Sequence, residues 1–154
     1  SFEKENREYF ERNLPPRPGS YFDPEGFKEI TRELLTEQEN HDVYMHLIRD
    51  SQGIMVGRIN LNVLESDRKT AELGYRIGEN FTNLGYASKA VKLVLDKAFH
   101  TYGLDRIIAG TAMDNLASKR VLLKNGFTFS RVIENDFQIN NEWVHTAVFE
   151  ITNP

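Results

Sequence analysis

A change of hydrophobic period near residue 42 constrains the fold more than any other feature of this sequence. Before it, the stretch 27–35 repeats apolar side chains at the three- and four-residue spacing of a helix. After it, the stretches 42–49, 57–63 and 70–78 alternate apolar and polar side chains, as half-buried strands do. Short turns separate these stretches, so the sequence predicts three consecutive antiparallel strands.

The rest of the chain alternates between helical and strand patterns. Helices are predicted at 1–13, from Asp23-Pro24 onward, over 85–102, and from Asp114 or Asn115 to 125; strands are predicted at 106–112, 127–133 and 143–151. A strand–helix–strand step joins parallel strands through a crossover. We therefore expect one α/β domain over residues 1–154, with a mixed, mostly antiparallel central sheet flanked by helices.

Composition excludes several classes of function. None of the 154 residues is cysteine, which removes disulfides, thiolate metal sites and a thiol nucleophile, and fits a cytoplasmic location. The formal net charge is −4 with no long basic run, so a nucleic-acid partner is not expected. No stretch approaches the ~20 apolar residues of a membrane span, and the four histidines lack metal-ligand spacing. We expect neither a membrane partner nor a metal.

The segment from Glu72 to Ala90 carries the clearest indication of a ligand. Its strand pattern runs into a loop with Gly85 and the small residue Ala87, and a long helix starts there. Glycine lets the backbone approach an anion, and the free N–H groups of a helix's first turn point at it with the helix dipole behind them. These features predict a phosphate or pyrophosphate site. Its donors would be the amides of Leu84, Gly85, Tyr86, Ala87 and Ser88.

The same loop resembles the acetyl-CoA signature of the GNAT superfamily of N-acetyltransferases, Gln/Arg-x-x-Gly-x-Gly/Ala. Here the signature spans Thr82 to Ala87, with threonine in the first position. Downstream, Asn115-Leu116-Ala117-Ser118 and Lys124-Asn125-Gly126-Phe127 resemble the family's N-x-x-S…K-x-G-F helix. The resemblance covers roughly residues 43–151, and it implies the GNAT fold, acetyl-CoA as cosubstrate and an amine as acceptor.

The resemblance also implies which residues hold the coenzyme. The loop amides would hold the pyrophosphate, and the backbone at the end of the preceding strand would hydrogen-bond the pantetheine arm. That end of the strand comprises Tyr75, Arg76 and Ile77. Asn115 would contact the pantetheine, and Ser118 would lie near the sulfur.

Within the superfamily, the likeness is strongest to the ribosomal-protein N-acetyltransferase (Rim-type) branch. The segments Lys69–Tyr75, Asn115–Ser118 and Glu5–Tyr9 carry it. This likeness favours the α-amine of a protein N-terminus as acceptor, with a small amine such as a polyamine, amino acid or antibiotic as the alternative. Because Glu5–Tyr9 corresponds to a point just after the branch's first strand, that strand is expected to be missing from this chain. The exposed sheet edge would favour a homodimer.

Acetyl transfer to an amine needs a neutral amine and a proton for the departing thiolate. Many members of the family use a tyrosine of the Asn-x-x-Ser helix as the acid, and Leu122 occupies that position here. We assign Ser118 as the proton donor, as the Rim-type resemblance suggests, and Glu72 as the base in preference to Asp136. Because Leu122 occupies the position of the acid, a non-catalytic acyl-CoA-binding module on the same fold is the alternative function. The single tryptophan, Trp143, is expected in the core.

Overall fold

The computed structural model describes residues 1–154 as five α-helices and six strands. The helices are α1 (Phe2–Glu5), α2 (Arg7–Glu11), α3 (Pro24–Glu39), α4 (Tyr86–His100) and α5 (Leu116–Lys124). The strands are β1 (Val43–Arg49), β2 (Met55–Val63), β3 (Thr70–Ile77), β4 (Arg106–Ala112), β5 (Thr128–Ile139) and β6 (Glu142–Thr152). Two short 3-10 helices lie at Gly19–Phe22 and Glu79–Phe81.

All six strands form one sheet in the order β1-β2-β3-β4-β6-β5. The pair β3/β4 is parallel, because α4 carries the chain back between them, and the other four pairs are antiparallel. The mixed, mostly antiparallel sheet flanked by helices confirms the predicted fold class.

The main hydrophobic core lies between the sheet and α4. Helix α4 buries apolar side chains that recur at helical spacing, namely Ala90, Val91, Val94, Leu95 and Ala98. They pack against inward-facing strand residues that include Val56, Ile59, Leu61, Leu73 and Ile107. At the sheet edge, α3 lies beside β1, where the backbone N–H of Met45 donates to Gln38 Oε1 at 3.0 Å. None of the helices is both long and apolar enough to cross a membrane.

The N-terminal segment differs from the single helix predicted over residues 1–13. The helix breaks at Asn6, between α1 and α2. The Asn6 side chain donates to the carbonyl of Phe2 at 2.9 Å and accepts from the backbone N–H of Glu79 at 2.8 Å. Asparagine competes for backbone partners in this way, so a tertiary contact with the segment after β3 accompanies a one-residue break in the helix.

The last hairpin is longer than predicted. Strand β5 continues to Ile139 instead of ending at Ile133, and its pairing with β6 shifts register between Ile133 and Phe137. Asp136 therefore lies in a strand irregularity rather than in the turn. The turn is Asn140-Asn141, with φ of 51° and 64°. The expectation for Trp143 is wrong: its side chain is 57% exposed on β6.

Candidate active site

The parallel strands β3 and β4 separate after a short paired region. Thr70, Ala71 and Glu72 pair with Arg106, Ile107 and Ile108, and no later residues pair. On their outer sides β3 stays paired with β2 up to Ile77, and β4 stays paired with β6 up to Ala112. The backbone groups that face the gap between β3 and β4 therefore have no ladder partner, and they are available to a ligand.

A cleft of about 630 Å³ opens at this gap. Its walls come from β3, the loop before α4, the first turn of α4, β4 and α5, with α2 and the following loop along one side. That volume is in the range of sites for cofactor-sized ligands. The predicted site residues that line it are Glu72, Tyr75, Arg76, Ile77, Gly85, Tyr86, Ala87, Ser88, Asn115 and Ser118. Leu84 does not line the cleft, and its side chain is 61% exposed.

The loop before α4 presents free backbone donors. Gly85 is the N-cap of α4 with φ of +84°, a conformation that disfavours any residue with a Cβ. No backbone N–H from Asn83 to Ser88 donates to an acceptor within the chain. A Cβ at Gly85 would meet nothing within 4 Å, so the space beside these donors is open. Free amides at a helix N-terminus form an environment suited to a phosphate group.

A contact that the sequence did not indicate fixes this helix start against α5. The side-chain amide of Asn125 donates to the carbonyl and the hydroxyl of Ser88, both at 3.2 Å, and to the carbonyl of Val121 at 2.9 Å. In the sequence, Asn125 appears only as the end of the predicted helix and as the variable position of the K-x-G-F motif. In the structure it ties the first turn of α4 to the helix that carries Ser118.

Two hydroxyl groups meet in the cleft. The Ser118 hydroxyl lies 2.9 Å from the Tyr75 hydroxyl, in hydrogen-bond contact. Burial raises the pKa of Tyr75, and the hydrogen bond with Ser118 opposes that shift only in part. The side chain of Asn115 accepts from the backbone N–H of Ser118 at 3.1 Å and so caps α5. Sequence reasoning assigned only the backbone of Tyr75, whereas the structure brings its hydroxyl to Ser118.

Strand β3 has two faces with different surroundings. Its apolar face packs towards α4 and consists of Ala71, Leu73, Tyr75 and Ile77. Its polar face points the other way and consists of Glu72, Gly74 and Arg76. Glu72 is exposed, so both predicted catalytic residues line the cleft, but Glu72 lies on the polar face and Ser118 contacts the apolar face. Asp136 also lines the cleft, and its carboxylate accepts from the Thr146 hydroxyl at 2.7 Å.

An ionic cluster, here called the arginine cluster, covers the far end of the polar face. It consists of Glu3, Arg17, Arg58 and Arg76. The Glu3 carboxylate lies 3.2 Å from Arg76, 3.4 Å from Arg17 and 3.5 Å from Arg58. Burial and the neighbouring Arg17 lower the pKa of Arg76 to about 10, while Glu3 acts in the opposite direction. No local pattern in the sequence indicates this cluster, because its members are distant in the chain.

The mixed sheet whose two parallel strands part around a cleft is shared with a solved acetyltransferase structure, described below. Residues 3–128 match the acetyltransferase (GNAT) domain, and the chain belongs to this family. Members of the family use acetyl-CoA as the acetyl donor, which is the cofactor predicted from the sequence. The family assignment predicted from the loop and the α5 segment is thereby confirmed.

Individual proteins that are similar to this chain in sequence or structure are also described as acetyltransferases. The chain is 32% identical to the probable N-acetyltransferase YjcK of Bacillus subtilis, over 99% of this chain and 85% of that protein. The structure of a ribosomal-protein-S5-alanine acetyltransferase from Vibrio fischeri has a TM-score of 0.91 at 21% identity, covering 99% of this chain and 84% of that one. A Vibrio cholerae spermidine N-acetyltransferase in complex with CoA and spermine has a TM-score of 0.80 at 18% identity, covering 96% and 84%.

Proposed function

We propose that this chain transfers the acetyl group of acetyl-CoA to a primary amine, and that the amine is the N-terminus of a peptide or protein. The observation that carries the proposal is the gap between β3 and β4, which shares one cleft with the free amides of residues 83–88. A ligand with a phosphate at one end and an extended amide-bearing arm at the other fits such a cleft.

Backbone groups would make most of the donor contacts. The amides of residues 83–88 and the dipole of α4 suit the pyrophosphate. The unpaired backbone groups of β3 suit the amides of the pantetheine arm, which would run along the strand as an added strand does. Neither contact needs the side chain of Thr82, so threonine in the first signature position is compatible with binding. When bound, acetyl-CoA supplies an activated acetyl group and leaves as a thiol.

The hydroxyl pair supplies the proton that the leaving thiolate needs. Ser118 can donate its proton to the sulfur and recover one from Tyr75, since the two oxygens are 2.9 Å apart, and Tyr75 then takes a proton from water. The raised pKa of Tyr75 keeps this phenol protonated at neutral pH. The pair thus replaces the tyrosine that many relatives carry at the position of Leu122, a residue that is only 1% exposed here.

The amine would approach from the polar face of β3, because α4 and α5 fill the other side. A free α-amine has a pKa near ~8, so part of it is neutral at physiological pH. Its nitrogen bonds to the carbonyl carbon, the carbon–sulfur bond breaks, and the amine's surplus proton passes through water to the exposed carboxylate of Glu72. Backbone N–H groups that face the gap stabilise the negative charge that develops on the carbonyl oxygen.

The melting temperature with and without acetyl-CoA tests donor binding. At ~100 times its dissociation constant, a ligand adds about 2.7 kcal/mol, which raises the melting temperature by roughly 5–10 °C in a domain of this size. ATP and NAD serve as control ligands. Incubation with peptides and acetyl-CoA then measures acetyl transfer by the release of free thiol.

Gly85→Val and Gly53→Val form a matched pair for the same test. Both glycines have positive φ, +84° and +81°, and a Cβ would meet nothing within 4 Å at either. Each variant should lose about 1–2 kcal/mol of stability from backbone strain. Only Gly85→Val should lose the stabilisation by acetyl-CoA, because Gly53 lies in the distant β1–β2 turn. Equal stabilisation of both variants would reject the loop as the phosphate site.

A homodimer and a cytoplasmic location stay predictions, and light scattering of the purified protein measures the first.

A further inference from the structure

The arginine cluster has more positive charge than its own carboxylate can balance. Three guanidinium groups surround the single Glu3 carboxylate, which leaves a surplus of two positive charges. The side chains of Glu3, Arg76 and Arg58 are only 11%, 16% and 21% exposed, so water screens this surplus poorly. The ion-pair distances of 3.2 to 3.5 Å are longer than the ~2.7–2.9 Å of a strong charge-assisted bond.

The sheet itself places two of these charges together. Arg58 of β2 is the direct cross-strand partner of Arg76 of β3. Like charges directly opposite each other are destabilising in a sheet. In addition, Nε of Arg17 is buried with no hydrogen-bond partner, which is unfavourable for a charged group. The cluster therefore has more donors than acceptors. A second anion would reduce the repulsion between the arginines and accept hydrogen bonds from their free donors.

The cluster opens into the cleft through Arg76. Arg76 lines the cleft together with Phe10, whose ring lies 5.0 Å from the guanidinium carbon. Of its nitrogen atoms, only Nη1 has a partner within the chain, namely Glu3. The remaining donors are available to a carboxylate, which arginine can bind through two parallel hydrogen bonds.

The polar face of β3 leads from the reaction centre to this cluster. Gly74 lies between Glu72 and Arg76, it is exposed, and a Cβ there would meet nothing within 4 Å. The neighbouring residue, Tyr75, contacts Ser118 on the other face, so the reacting carbonyl is expected at this level. An amine over Gly74 would lie two strand residues, or about 7 Å, from the level of Arg76. Two residues of an extended peptide span about the same distance.

We propose that the arginine cluster binds a carboxylate of the acceptor, an inference that rests on the proposed function. The preferred acceptor is then a peptide or protein N-terminus with an acidic residue at its second or third position. The amine end lies near the carboxylates of Glu72 and Asp136, and the acidic side chain lies at Arg76. The other charged residue of the cleft, Arg120, is on α5 beside Ser118. A polyamine would place a positive charge at the cluster and is disfavoured.

The test compares hexapeptides that begin with alanine and carry Glu, Gln or Lys at positions 2 and 3. At saturating acetyl-CoA, kcat/KM for the Glu peptide should exceed that for the Gln peptide about tenfold, and the Lys peptide should be the poorest. Arg76→Gln should reduce the Glu/Gln ratio to about one. The KM for acetyl-CoA should change little, because only the backbone of Arg76, which the substitution retains, is assigned to the coenzyme. Glu3→Gln should enlarge the ratio, because it removes the competing carboxylate.

Arg32→Gln is the matched control, since Arg32 pairs with Glu29 on exposed α3 and should leave the ratio unchanged. Melting temperatures verify that each variant is folded. A Glu/Gln ratio near one in the unaltered protein would overturn the inference, as would spermidine being a better acceptor than the Glu peptide. A raised KM for acetyl-CoA in Arg76→Gln would overturn it too, because the cluster would then bind a phosphate of the donor.

Calorimetric titration of the Glu and Gln peptides without acetyl-CoA separates this inference from the proposed function. Tighter binding of the Glu peptide that Arg76→Gln abolishes, with no acetyl transfer to any amine, would support the anion site and reject the transferase. Acetyl transfer with equal binding of both peptides would support the transferase and reject the anion site.

Discussion

The two faces of β3 differ in what holds their side chains in place. On the apolar face, Leu73 and Ile77 are buried against α4 and fixed by packing. On the polar face, Glu72 and Gly74 are exposed, and Arg76 is held by an ion pair and by Phe10. The apolar face maintains the fold and the hydroxyl pair, whereas the polar face has little role in packing and is available to an acceptor.

The largest expected effect concerns the place where the apolar face is proposed to take part in the reaction. Ser118→Ala and Tyr75→Phe should each lower turnover about 100- to 10,000-fold, since both interrupt proton delivery to the thiolate. Stabilisation by acetyl-CoA should persist in both. Tyr44→Phe is the control, because Tyr44 stacks on Tyr102 away from the cleft. Unchanged turnover in both variants would remove the pair from the mechanism.

The second prediction compares two adjacent residues on opposite faces. Leu73→Ala should lower the free energy of unfolding by about 2–5 kcal/mol, because Leu73 is 4% exposed in the core. Glu72→Ala should change it by no more than about 0.5 kcal/mol, yet lower turnover about tenfold through loss of the base. Urea denaturation and turnover measure the two effects. A stable Leu73→Ala variant, or an unimpaired Glu72→Ala variant, would contradict the division of roles between the faces.

The third prediction tests whether the acceptor crosses Gly74. Gly74→Leu should raise the KM for the peptide about tenfold and leave the KM for acetyl-CoA unchanged, because the new side chain occupies open space on the polar face. Asn60→Leu is the matched control, since Asn60 is the cross-strand partner of Gly74 and lies one strand further from the gap. Equal effects of the two substitutions would place the acceptor elsewhere.

The smallest effect is in the dependence on pH. The rate should rise as the amine loses its proton near pH ~8. The rate should not fall before pH ~10, because the raised pKa of Tyr75 keeps this proton donor protonated. Above pH ~10 the unfolded chain loses the Tyr75 proton before the folded protein does, so the contribution of Tyr75 to the free energy of unfolding falls as the pH rises further. Tyr75→Phe should remove the part of that dependence that comes from Tyr75, and Tyr102, whose pKa burial also raises, should continue to contribute. A decline that starts below pH 10 would exclude Tyr75 as the donor.

Local patterns predicted most of the fold. Strands β1 to β3 follow from period-two alternation and β4 from its run of consecutive apolar residues, and Asp23 caps α3 at the predicted helix start, accepting from Gly26 at 3.0 Å. The errors arose where a distant contact overrides local preference. Asn6 breaks the first helix for a contact with Glu79. Pairing of β5 with β6 resumes at Phe137 beyond the irregularity that contains Asn135, so the last hairpin extends to Ile139.

By itself the sequence determined the class of sheet, the family and the glycine-led start of α4, because these depend on residues close together in the chain. Tertiary structure alone decided that Tyr75 meets Ser118, 43 positions apart, and that Glu3 lies among three arginines. Such contacts depend on strand register and on how α1 and α5 lie against the sheet. Their energies come from distances between groups that no local pattern encodes.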